Sequence, residues 1–379
     1  MKRAPVFGLL CLCVFLGAFR PRNGEKTYEE FKPHMRAIYQ SLMNIYPYTL
    51  SQKAFNQKEQ AKLIEENLQI LADHAGYIER LAHEDESGHS HLSHQLSRNA
   101  QQAVLKFKSG LGHQAQFYIQ EVYDTCLTCH TSRTSQDDSE FTVDFGKDVN
   151  WDAMGGFGRA RFLSLSRQFE KAMDEYEKIF LSQQMSLEEL LQYDPFVDYM
   201  ILGLRVKEEK GRVAKTFESL MAKPLPAMVK SDLDAWVKSL KKVPAKSAKQ
   251  SELAYAKELI KASQSLSEYP QDRKGLVYSI LASKELLGYL KQKKIPEAKR
   301  AETYYELGLS EMRIGSPQIA GESGYYFEEA IRLAPKAAFS KKAFALYEEG
   351  LLFGYSGSGG VNLPASEKQR LEDLRTLVE

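Results

Sequence analysis

The chain has 379 residues, enough for two or three domains that each bury a core. Its composition, 43% hydrophobic and 27% charged, is that of a globular protein and excludes a chain that is mainly disordered. Basic and acidic residues balance at 51 and 50, so no strong field of one sign marks the chain as a binder of nucleic acid or of an anionic membrane surface.

The first residues predict an export signal. Lys2 and Arg3 precede an apolar run from Ala4 to Phe19. A run of about 16 residues is shorter than the roughly 20 that a helix needs to cross a bilayer. Residues 1–22 are therefore predicted to be a cleaved signal peptide, with a short uncleaved N-terminal anchor as the alternative. We expect the protein in the periplasm or otherwise exported, and at a membrane only if this segment is retained.

Residues 25–133 predict four amphipathic helices joined by short polar breaks, because apolar residues recur every three or four positions. The stripes are Phe31, Met35, Ile38, Leu42 and Ile45, then Ile64, Leu68, Leu71, Ala75 and Ile78, then Leu92, Leu96, Ala103, Val104 and Phe107, and last Ala115, Ile119, Val122 and Cys126. Four helices with short connections predict an antiparallel four-helix bundle.

The only cysteines after residue 22 lie in the motif Cys126-Leu127-Thr128-Cys129-His130. On a helix, the two cysteines and the histidine share one face, so both thiols can add to the vinyl groups of a haem while the imidazole of His130 binds the iron. A zinc site would need further ligands, and a thioredoxin-like dithiol would need a strand before the helix. The motif predicts one covalent haem c, with those two sites as the alternatives.

A four-helix bundle that ends in C-x-x-C-H resembles the cytochrome c-prime superfamily. The resemblance covers residues 25–133 and implies that the residue facing the other side of the haem comes from the start of the first helix. At that place it implies Met35 as the second iron ligand, opposite His130, in a six-coordinate haem. His34 as the ligand, or a Met35 that only fills the core, are the alternatives. Bundles of this superfamily are often dimers, so a homodimer is compatible with the resemblance.

A histidine-rich stretch runs from His83 to His94 between the second and third predicted helices, and includes His89 and His91. No spacing in it forces the side chains to converge. We expect a solvated loop, with metal binding as the alternative.

Residues 134–156 are polar and contain several glycines, and they are predicted to be a linker. From 157 to 379 the pattern predicts helices in pairs, separated at Pro224, Pro244, Pro270, Pro296, Pro317 and Pro335. Gly308 on one helix with Phe327 and Ala330 on the next resembles the tetratricopeptide repeat. We therefore predict a degenerate helical-repeat solenoid, whose concave face would bind proteins, with an irregular helical domain as the alternative.

These observations predict an all-α, exported, mono-haem c-type cytochrome that transfers one electron and is not an enzyme. The repeat domain is expected to dock the haem domain to a redox partner protein. One alternative is a five-coordinate haem sensor that binds NO or CO, and another is a repeat scaffold in which the haem is structural. A di-haem peroxidase is disfavoured because the chain contains a single C-x-x-C-H motif.

Overall fold

The computed structural model describes residues 23–49, 51–83, 90–132, 151–182, 185, 190, 194–269, 272–292, 294–315, 322–357 and 360–379. Within these residues the protein contains sixteen α-helices, two short helices of other types and one antiparallel pair of two-residue strands. The prediction of an all-α protein is therefore confirmed. The predicted signal segment 1–22 and residues 134–150 of the predicted linker lie outside the described residues.

The N-terminal helices are α1 (Asn23–Thr49), α2 (Gln52–Phe55), α3 (Lys58–His83), α4 (Ser90–Lys108) and α5 (Gly112–Ser132). The four long ones form where the apolar stripes predict helices. The first begins earlier than Pro33, which lies inside α1. Of these helices, α1 packs along α3, α3 along α4, and α4 along α5, and the stripes meet in one core.

The turn between α4 and α5 is defined by backbone hydrogen bonds. Gly110 adopts a left-handed conformation with φ of 73°. Its N–H donates to the carbonyl of Phe107, and the N–H of Leu111 donates to the carbonyl of Lys106, each at 2.9 Å. This is a Schellman turn, which needs a glycine at its left-handed position. It reverses the chain and sets α5, the helix that carries the C-x-x-C-H motif, alongside α4.

The C-terminal helices follow a 3₁₀ turn at Trp151–Met154. They are α6 (Gly155–Leu165), α7 (Phe169–Leu181), α8 (Pro195–Met200), which continues as a π-helix at Ile201–Val206, α9 (Lys210–Met221), α10 (Ala227–Lys242), α11 (Glu252–Leu266), α12 (Leu276–Leu290), α13 (Glu297–Ile314), α14 (Glu322–Leu333), α15 (Ser340–Gly354) and α16 (Ala365–Val378), with β1 (Ser356–Gly357) and β2 (Gly360–Val361) before the last. Pro224, Pro244, Pro296 and Pro335 lie between helices as predicted, and Pro270 and Pro317 lie outside the described residues.

Consecutive C-terminal helices pack closely on one another, and the pair α13 and α14 shows why. A Cβ atom added to Gly308 would lie 2.5 Å from the ring of Phe327, so the missing side chain is what lets the ring approach. Tyr304 and Tyr326 stack between the same two helices with ring centroids 6.1 Å apart. The tyrosines at this place are therefore largely packing residues.

Helix α6 shares the core of the N-terminal helices. Phe162 is fully buried and meets Tyr39, Tyr46 and Tyr123 edge-on, at centroid distances of 5.7, 5.0 and 5.7 Å. Two of these tyrosines belong to α1 and one to α5. A segment that begins beyond the predicted linker thus fills the space between the first and last long N-terminal helices.

The N-terminal and C-terminal helices are in direct contact. His91 of α4 stacks on Tyr325 of α14 with ring centroids 3.4 Å apart and nearly parallel planes. Arg98 of α4 donates from Nη2 to the hydroxyl of Tyr355 at 2.7 Å. The ammonium group of Lys291 donates to the carbonyl of Ser132, the last residue of α5, at 3.4 Å. No helix in the described ranges is both long enough and apolar enough to cross a membrane.

Candidate haem-attachment site

The C-x-x-C-H motif lies in the last two turns of α5. Helical periodicity places Cys126, Cys129 and His130 on one face of these turns. All three side chains are partly exposed, and the two cysteines do not form a disulfide. The motif therefore offers two thiols outside any disulfide and an imidazole at the border between the core and the surface.

The state of Cys126 disfavours a redox dithiol. Burial raises the pKa of this thiol to about 12, with contributions from Cys129 and Asp124. Reactive C-x-x-C pairs need a stabilised thiolate, which the positive end of a helix dipole provides at a helix N-terminus. The motif here lies at the opposite end of α5, where the dipole opposes a negative charge.

A zinc site finds no support in the described residues, which contain no group of three or more His, Cys, Asp or Glu side chains arranged to hold a metal ion. The described histidines of the histidine-rich stretch contact different residues and do not converge on one point. His91 stacks on Tyr325, whereas Nδ1 of His94 lies 2.6 Å from Oε1 of Glu79 on α3. His89 lies outside the described residues.

The two candidates for the second iron ligand have different surroundings. Met35 is partly buried and packs against the same core as Cys126. Nδ1 of His34 lies 2.8 Å from Nδ1 of His74, and its ring stacks on Tyr77 at 4.5 Å. Burial, followed by His74 and Arg80, lowers the pKa of His34. His34 thus contacts two side chains of α3, His74 and Tyr77. Met35 is the candidate iron ligand that packs against the same core as the motif.

A buried arginine joins α5 to the C-terminal helices. Arg161 of α6, 6% exposed, forms an ion pair with Asp124 of α5, and its Nε lies 3.4 Å from Oδ2 of Asp198 at α8. The hydroxyl of Tyr176 donates to the same Asp198 oxygen at 3.0 Å. Burial disfavours the charge of Arg161, but Asp124 and Asp198 outweigh it and hold the pKa above its ordinary value.

The sequence analysis missed this cluster. The available signal was a pair of arginines, Arg159 and Arg161, in the otherwise apolar and small-residue stretch from Gly155 to Leu165. An arginine in such a helix is buried only with a partner. The position of that partner, Asp124, could not be read from the sequence, because 37 positions separate the two residues.

The donor set fits a covalently attached haem. It combines two thiols at i and i+3 that form no disulfide, an imidazole on the next residue and a methionine thioether on another helix of the same core. No family model, curated protein or solved structure matches the chain. The functional assignment therefore depends on the residues of the chain itself.

Proposed function

We propose that this protein is an exported c-type cytochrome that carries one electron on a single haem. The observation that carries the proposal is the C-x-x-C-H motif in the last turns of α5, whose two cysteines are partly exposed and form no disulfide. In this proposal α1, α3, α4 and α5 form an antiparallel bundle similar to the cytochrome c-prime superfamily.

Each residue has a distinct role. Cys126 and Cys129 would hold the haem through thioether bonds, and His130 would bind the iron, with Met35 opposite. The haem supplies an iron that cycles between the ferrous and ferric states. The ion pair of Asp124 with Arg161 restrains the turn that precedes Cys126, and the partial exposure of the motif leaves a route for electrons to and from the surface.

The C-terminal helices are proposed to form a tetratricopeptide-like solenoid that holds the haem domain and docks a redox partner protein. The contacts of His91 with Tyr325 and of Arg98 with Tyr355 support the holding role. The partner would then bind the solenoid surface that the N-terminal helices leave free.

Covalent haem is the first expected outcome. The full-length protein, produced in a host that attaches haem c, should keep its haem absorbance after denaturation and acid-solvent extraction. The Cys126→Ala/Cys129→Ala variant should lose it. The His113→Ala variant changes an exposed histidine at the start of α5 and should keep the haem. Haem that is extracted from the unaltered protein would contradict the proposal.

The optical spectrum separates electron transfer from gas binding. Ligation by His130 and Met35 predicts a low-spin spectrum with a methionine-to-iron band and no rapid uptake of carbon monoxide. Met35→Ala should give a high-spin haem that binds carbon monoxide, whereas His34→Ala should leave the spin state unchanged. Rapid carbon monoxide binding by the unaltered protein would favour the five-coordinate sensor. A covalent haem without reversible reduction would favour the scaffold.

A further inference from the structure

A cavity of about 1130 Å³ lies between α5 and the C-terminal helices. Its wall on α5 includes Leu127, Thr128 and Thr131. Cys126, Cys129 and His130, the three residues that would hold a haem, do not line it. The other walls come mainly from α8, the π-helix at Ile201–Val206 and α13 to α15. Small-molecule sites occur preferentially at such junctions between packed units, and their usual volumes reach about 1,000 Å³.

The lining of this cavity is acidic. Among its described lining residues, nine are Asp or Glu, four are Arg and none is Lys. Three of the arginines already form ion pairs, Arg161 with Asp124, Arg205 with Glu311 and Arg273 with Asp194. A ligand that enters the cavity therefore meets an excess of negative charge, which favours a cation and disfavours an anion.

Glu121 is a lining carboxylate that lacks a partner and, unlike Glu349, is not exposed. It is mostly buried, and its side chain makes no hydrogen bond or ion pair with any residue in the described ranges. Burial, followed by the neighbouring Asp124, raises its pKa to about 7. A buried carboxylate without a partner is unfavourable, and a cationic group bound beside it would remove that cost.

A second polar group on the wall is also unsatisfied. Arg205 is 5% exposed, and although its Nη2 pairs with Glu311, its Nε is buried without a hydrogen-bond partner in the part of the chain described. The guanidinium is thus held within the wall by Glu311, and its Nε, which solvent does not reach, offers no contact to a ligand.

The end of the cavity formed by α14 and α15 contributes aromatic and aliphatic side chains beside the carboxylates of Glu322 and Glu349. Phe327, Leu346, Tyr347 and Phe353 line it. Aromatic rings accept an apolar body by contact and a cation over their faces. The cavity thus combines an acidic lining, aromatic side chains at one end and the unpaired carboxylate of Glu121.

We propose that this cavity binds a small organic cation with an aromatic or aliphatic body, and that Glu121 pairs with its charged group. The proposal does not depend on haem attachment, because Cys126, Cys129 and His130 take no part in it, although Leu127 and Thr128 of the same motif line the cavity. Its failure would leave the proposed cytochrome function untouched, and the converse also holds.

The test uses three probes with the same phenol ring and different charges: tyramine, 4-ethylphenol and 3-(4-hydroxyphenyl)propionate. Titration calorimetry on the full-length protein at about pH 7, in phosphate and in Tris, gives affinity and proton release together. We expect tyramine to bind more tightly than ethylphenol, and the propionate to bind most weakly. Because Glu121 must lose its proton to pair with the amine, the heat of tyramine binding should differ between the two buffers.

Glu121→Gln is the decisive variant, since a neutral amide at this buried place should fold at least as well as the carboxylate. It should weaken tyramine about tenfold or more and abolish the buffer-dependent heat. The matched control is Glu297→Gln, an exposed carboxylate at the start of α13 that does not line the cavity. Binding of the propionate as tight as that of tyramine, unchanged tyramine binding by Glu121→Gln, or no tyramine binding at millimolar concentration would each overturn the proposal.

Discussion

Glu121 and Cys126 lie about one and a half turns apart on α5, and both resist ionisation because protein replaces much of the water around them. For Cys126 this favours a neutral thiol over a reactive thiolate. For Glu121 it means that the folded protein carries an unfavourable charge at alkaline pH. Sites that bind ligands often retain such locally unfavourable groups, because function and not stability selects them.

The pH dependence of stability follows from Glu121. Its pKa rises from 4.5 to about 7 on folding, so the folded protein holds this proton more tightly than the unfolded chain does. The stabilisation is complete below about pH 4.5 and is lost as the pH rises through about 7. Glu121→Gln should therefore be more stable than the unaltered protein at about pH 8, by up to about 3 kcal/mol, and equal to it at about pH 4.

Urea denaturation at the two pH values measures this difference. Glu297→Gln, at an exposed position, should show no pH-dependent gain. A Glu121→Gln curve that coincides with that of the unaltered protein at about pH 8 would show that Glu121 ionises there at no cost.

At the scale of elements, close helix packing depends on particular glycines. Gly308 of α13 lies under the ring of Phe327, whereas Gly288 of α12 has no atom within 4 Å of where a Cβ would be. The two positions therefore separate the effect of a steric clash from the effect of helix propensity.

Gly308→Ala should destabilise the protein by about 1–3 kcal/mol, because the added methyl group forces the buried ring of Phe327 to move. Gly288→Ala should instead stabilise it by up to about 1 kcal/mol, since alanine is the better helix former and nothing obstructs it. Thermal unfolding of the two variants measures both effects. Similar shifts in both would mean that Phe327 repacks without cost.

Helix positions followed from the sequence where one face carries the apolar side chains. The stripe from Ile64 to Ile78 predicted α3, and every member of it is buried. The role of α6 did not follow, because nearly all of its side chains from Phe157 to Leu165 are buried and no stripe distinguishes the two cores that it touches. The π-helix at Ile201–Val206 was also beyond prediction, since the sequence pattern does not separate π-helix from α-helix.

At the scale of the whole molecule, Arg161 links the N-terminal and C-terminal helices through its ion pairs with Asp124 and Asp198. Arg161→Met should destabilise the protein by about 3–5 kcal/mol, because it leaves Asp198 buried without its cation. Adding Asp198→Asn should recover much of that loss. Denaturant unfolding of the single and double variants measures both effects.

Arg159→Met on the same helix is the control for this pair. Arg159 forms a longer ion pair with Glu175, at 3.6 Å, and its side chain is 29% exposed. Its replacement should cost less than about 1 kcal/mol. Equal losses for the two arginine variants would argue that the fold does not depend on the charge cluster of Asp124, Arg161 and Asp198.

The motif and the cavity differ in how far the sequence reveals them. The spacing of Cys126, Cys129 and His130 is local, so one helical turn is enough to predict that they share a face. The cavity collects residues from Leu92 to Phe353, and no periodicity relates positions that far apart. Glu121 was part of a predicted helix, but the residues that line the cavity with it come mostly from helices later in the chain.

The contacts between the two groups of helices also determine the order in which the chain folds. The hydrogen bond of Arg98 with Tyr355 joins residues 257 positions apart, whereas α4 and α5 meet across a short turn. Loops that long close slowly, and the N-terminal part of a chain is synthesised first. The N-terminal helices can therefore form while the later helices are still absent, with the cavity-lining face of α5 open. The acidic cavity comes into existence only with the final docking step.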